Sequence, residues 1–70
     1  MNLGTEQDQI KAAKAVAKTA LAYREGNADY AWLDVQAALD GVPGAINRLG
    51  SDPLVLGTAL YILGMTDPAR

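Results

Sequence analysis

Pro53-Leu54-Val55-Leu56-Gly57-Thr58-Ala59-Leu60-Tyr61-Ile62-Leu63-Gly64-Met65 carries no charged residue, and Thr58 and Tyr61 supply its only hydroxyls. A bilayer span takes about 20 apolar residues, more than this run contains. An ordinary surface helix keeps one polar face, and this run has none. Most of its circumference must therefore be covered, by the rest of the chain or by a partner. Asp52-Pro53 offers a helix N-cap followed by proline at the first helical position, and Gly64 offers a stop. Leu-Val-Leu and Leu-Tyr-Ile-Leu would also suit a buried strand. The cap, the proline and the helical setting favour a helix over residues 53–63. Its bulky face would be Val55, Leu56, Ala59, Ile62 and Leu63. Gly57 and Gly64 would share a groove beside Leu60, open to close helix approach. Leu54, Thr58, Tyr61 and Met65 would form a third, amphiphilic face.

Upstream, a short helix is expected over 43–49, with Pro43 in its first turn and Val42, Ile46 and Leu49 inward. Before it, residues 28–40 read as a helix capped by Asn27, with Asp29 where the helix dipole favours negative charge. Ala28, Ala31, Trp32, Val35, Ala38 and Leu39 make one apolar stripe of that helix. Tyr30, Leu33 and Ala37 make a second. Asp34 stands apart from the polar line of Asp29, Gln36 and Asp40. The first helix is expected over 6–25, capped by Thr5 and stopped by a left-handed Gly26. Ile10, Ala13, Ala17, Ala20, Leu21 and Arg24 share its inner face, and Gln7, Lys11, Lys14 and Lys18 its wet face. The Gly26-Asn27 connection is short, so the first two helices should form an antiparallel hairpin. The expected fold is all-α: one small domain of about four helices over residues 1–70, with 1–4 and 66–70 frayed.

Seventy residues lie near the lower limit for independent folding. With no cysteine and no histidine, neither a disulfide nor a thiolate or imidazole metal site is available. Stability must come from packing, alone or with oligomerisation. The net charge is −2, unevenly spread. Lys11, Lys14, Lys18 and Arg24 outweigh Glu6, Asp8 and Glu25 in the first 25 residues, and acids dominate thereafter. Acids and lysines interrupt every apolar stretch near the N-terminus, which argues against a signal peptide and makes the cytoplasm the expected compartment.

Chemistry finds little support. No histidine stands ready to activate Ser51, a threonine or a tyrosine. Most acids have structural readings as caps or first-turn residues, and the glycines sit at helix ends rather than in a phosphate loop. The chain is read as non-enzymatic, with no catalytic, metal or cofactor site. Ala37-Ala38-Leu39-Asp40-Gly41-Val42-Pro43-Gly44-Ala45-Ile46-Asn47-Arg48-Leu49 resembles the helix-turn-helix family, with its alanine, a glycine four residues on and a second helix. Its apolar residues are one position early and Gly44 lies inside the second helix. That resemblance implies a DNA-binding regulator contacting nucleic acid through Asn47 and Arg48, with Lys11, Lys14 and Lys18 as further phosphate contacts. Ala22-Tyr23-Arg24-Glu25-Gly26-Asn27 and the alanine-rich texture around it resemble small uncharacterised helical proteins of actinobacterial and actinophage genomes. This implies a small accessory or phage-encoded protein that binds a host protein.

Four short helices cannot easily surround two of their number. The spare faces therefore point to a protein-protein interaction module, self-associating as a homodimer, with Tyr30, Trp32, Leu33, Leu54, Tyr61 and Met65 as interface candidates. Membrane-surface association through the uncharged helix is a third reading.

Overall fold

The computed structural model describes the backbone of residues 6–66 and the side chains of residues 6–64. Four helices follow in order: α1 (Glu6–Tyr23), α2 (Ala28–Leu39), α3 (Pro43–Leu49) and α4 (Pro53–Thr66). No strand occurs among the described residues. The all-α expectation holds, and the apolar run is a helix. The expected Thr5 cap and most of the expected frayed ends lie outside the described residues. Thr66, expected in the tail, is helical.

α4 starts as its sequence suggests. Asp52 Oδ1 accepts the Leu54 amide at 3.0 Å, its carbonyl accepts the Leu56 amide at 2.9 Å, and Pro53 occupies the first position, where no donor is needed. The helix passes the expected Gly64 stop and runs on to Thr66, and Gly64 does not take the left-handed φ of a helix-ending glycine.

The α1–α2 turn differs from expectation by one residue. Gly26 donates to the Leu21 carbonyl at 2.7 Å and Glu25 to that of Ala22 at 3.3 Å, the paired bonds of a Schellman end. Their register puts Glu25 at the left-handed position, φ 55°, with Gly26 following at 83°. The glycine thus stands one place after the strained residue. The α2 end is regular: Gly41 itself is left-handed, and Val42 donates to the Ala37 carbonyl at 3.0 Å.

α4 packs against both arms of the α1–α2 hairpin, and α3 closes the bundle against α2 and, more lightly, α1. Alanine makes this possible. Ala13, Ala17 and Ala20 of α1 and Ala31 and Ala38 of α2 are buried, so backbones approach closely and the bulk comes from Val35, Leu49, Val55, Leu56 and Leu63. Ile62 and Trp32 pack partly buried on that core. The expected inner faces are largely correct, except that Ile10, Arg24, Leu39 and Val42 are exposed at their margins. Among the described residues the Gly57/Gly64 groove is not filled, since a Cβ built at either position meets nothing within 4 Å.

Two predictions concern this packing. Leu56 is almost completely enclosed, so Leu56→Ala should cost about 2–5 kcal/mol, a large part of the roughly 4–10 kcal/mol available to a domain this size. Urea denaturation should show the loss as a lower midpoint. Glu25→Gly should instead raise the midpoint by relieving a left-handed non-glycine, by about 1 kcal/mol.

Candidate interaction surface

The α4 residues left uncovered lie one turn apart along one side. Leu54 is 55% and Tyr61 68% exposed. With Pro53, Gly57 and Thr58 they line a groove of about 500 Å³ on the outer side of the helix. The Thr58 hydroxyl donates to the Leu54 carbonyl at 2.8 Å, so it already has an acceptor within the helix. A second depression, of about 390 Å³, joins Thr58, Tyr61 and Ile62 to Glu6, Gln9 and Ile10 of α1. The neighbour that extends the α4 surface is therefore the N-terminal half of α1. Ile10, exposed at its margin, is a surface residue that the periodicity had assigned to the core.

The α2 candidates sit elsewhere. Tyr30 and Leu33 are exposed, but neither lines the two depressions that Tyr61 shares. Trp32 is partly buried against the core, which makes it first a packing residue. Met65 belongs to α4, but its side chain lies outside the described ones. No described helix is long and apolar enough to cross a membrane.

The cationic candidates separate into two groups. Lys11, Lys14 and Lys18 are exposed on α1, as is Asn47 on α3. Arg48, its side chain 33% exposed, is instead paired. Its Nη2 and that of Arg24 both donate to Asp34 Oδ1, the latter at 3.1 Å, and its guanidinium lies 5.5 Å from the Tyr23 ring centroid. Arg48, expected as a nucleic-acid contact, is thus paired within the chain by a charge-assisted hydrogen bond to a carboxylate 3% exposed. Among the described residues buried Asp34 Oδ2 finds no hydrogen-bond partner, so Oδ1 accepts from both guanidiniums.

Asp34 ties the end of α1 and the end of α3 to the middle of α2. Sequence inspection missed the cluster, although two signals were present. Asp34 lies three residues after Ala31 and four before Ala38, at the edge of the buried stripe, and Arg24 continues the inner line of α1.

Comparison with protein-family models, with curated proteins and with solved structures finds no match to this chain. Among the described residues, no three acidic side chains converge into a metal site.

The Asp34 cluster predicts a pH dependence. Burial pushes its carboxyl up, but hydrogen bonds and positive charge from Arg48 and Arg24 outweigh that and hold it below its ordinary value. The folded group therefore ionises at lower pH than the unfolded one. Its stabilisation is complete above the unfolded pKa of about 3.9 and is lost as pH falls through the lower folded value. Asp34→Asn should cost about 1–3 kcal/mol at neutral pH, the lower part being favoured because both arginines are partly exposed. The gap between wild type and variant should narrow below about pH 4, as thermal melts across pH would show.

Proposed function

We propose that this chain is a non-enzymatic protein-protein interaction module that works by self-association. The working surface is the outer side of α4 with the adjoining N-terminal half of α1. The observation that carries this reading is the exposure of Leu54 and Tyr61 on an uncharged helix side. Each large apolar side chain left in water forgoes about 1.5–3 kcal/mol of burial. Aromatic residues such as Tyr61 are enriched at the centres of interfaces. Tyr30 and Leu33 on α2 are a separate patch in this reading, available to a second partner. The likeness of residues 22–27 to small actinobacterial and actinophage proteins agrees with an accessory role but assigns no residue to it.

Helix-turn-helix DNA binding has less support, because Arg48, one of its two base-reaching residues, is held by Asp34. α3 is also only seven residues long.

Tyr61→Glu should leave helicity by circular dichroism and the thermal midpoint of the dilute monomer nearly unchanged, since the side chain is exposed. Light scattering at high concentration should show it monomeric where the wild type associates. A wild type that stays monomeric at high concentration would remove the reading.

A further inference from the structure

We infer that α3 is a strap: residues 42–50 detach and melt as one unit while α1, α2 and α4 stay packed, and the Arg48–Asp34 contact is the latch that holds the strap closed. The inference is independent of the self-association reading and uses no residue on the outer side of α4.

α3 is the least anchored of the four helices. It has seven residues, below the length at which an isolated helix persists in water. Val42 at its N-cap provides no capping hydrogen bond from its side chain, and Gly44 lowers the helix preference from within. Its buried residues are Ala45 and Leu49, whereas α4 buries Val55, Leu56, Ala59 and Leu63. α3 lies chiefly on α2 and more lightly on α1, so its departure leaves the packing among α1, α2 and α4 in place. Gly41 and Gly50 bound the strap, and a Cβ built at either meets nothing within 4 Å. Backbone rotation at both ends therefore displaces no packed side chain.

The shared carboxylate oxygen makes the open form tolerable. Asp34 is enclosed, and a buried carboxylate that loses its counter-charge is strongly destabilising. Arg48 belongs to the strap, but Arg24 belongs to the end of α1, and its Nη2 donates to the same Oδ1 at 3.1 Å. When α3 leaves, Arg48 goes with it and Arg24 stays. Asp34 thus keeps one guanidinium throughout, and the departure of Arg48 makes room for water beside it. Two like charges on one oxygen also repel each other, so each holds the carboxylate less firmly than it would alone. Arg24 is accordingly the keeper and Arg48 the latch. The open form presents Asp34 with Arg24 alone against it.

The test is native-state hydrogen exchange of the full chain, followed amide by amide by NMR and corrected for intrinsic exchange. Ile46 donates to the Val42 carbonyl and Gly50 to that of Ile46, so these two amides report the strap. Val35 and Ala59, fully buried in α2 and α4, report the body. In the wild type Ile46 and Gly50 should exchange about tenfold or more faster than Val35 and Ala59. Their exchange should also respond less to urea, because opening the strap exposes little surface. The arginines then separate strap opening from global unfolding. Arg48→Gln removes a contact present only in the closed protein, so it should speed all four amides by one common factor, about three- to tenfold. Arg24→Gln removes a contact that survives opening. It should speed Val35 and Ala59 but leave Ile46 and Gly50 within about twofold of wild type. Wild-type exchange of all four amides at one rate would overturn the strap, and that outcome does not depend on either variant folding. Fast exchange at Ile46 and Gly50 that Arg24→Gln accelerates as much as Arg48→Gln does would overturn the division between keeper and latch.

Discussion

An uncharged helix of 14 residues has to place its apolar circumference somewhere, and the rest of this structure is arranged around that constraint. α4 lies against both arms of the α1–α2 hairpin, so two of its sides are covered by one chain. Cover on both sides needs α1 and α2 to come close, and their buried alanines permit it. The core is accordingly thin-walled, with aliphatic bulk concentrated in Val35, Leu49, Val55, Leu56 and Leu63. Among the described residues no further helix covers the third side of α4, because α3 packs chiefly on α2 and, more lightly, on α1. The same packing that solves the burial problem leaves Leu54 and Tyr61 outside.

Asp34 answers a different problem. A helical hairpin closed by short turns still needs its loose end, α3, to be held. Alanine-rich faces supply little area with which to hold it. One buried carboxylate oxygen shared by Arg24 and Arg48 joins three helices at a single point, and Tyr23 backs the second guanidinium. Buried ion pairs are often no more stabilising than apolar substitutes. Here the contribution we emphasise is registry: the cluster fixes which faces of α1, α2 and α3 meet.

Much of the fold was legible from residue patterns. Asp52-Pro53 and Asn27 mark helix starts through local hydrogen bonds and a fixed φ, which need no distant partner. The three- and four-residue spacing of Ala13, Ala17, Ala20 and of Val55, Leu56, Ala59, Leu63 identified the inner faces. Legibility failed where the outcome depended on register between helices. Glu25 rather than Gly26 took the first left-handed place because of which carbonyls the turn could reach. Ile10 fell on the helical stripe yet is exposed at the α1–α4 margin. Arg48 looked like a free cation because its anion lies fourteen residues away. The candidate surface was half legible: Leu54 and Tyr61 were marked by their own helix, whereas the link to α1 rather than α2 depended on how α4 is rotated in the hairpin.

The amino-acid order thus dictated helices, their caps and the apolar excess of Pro53–Met65, all consequences of interactions spanning a few residues. Three-dimensional packing settled which side of that excess stays open, that Asp34 would be enclosed and paired twice, and that Gly57 would be an unfilled notch facing outward. These depend on the relative rotation and separation of whole helices. Many weak contacts between residues far apart in the chain set those quantities together, and periodicity within one helix does not encode them.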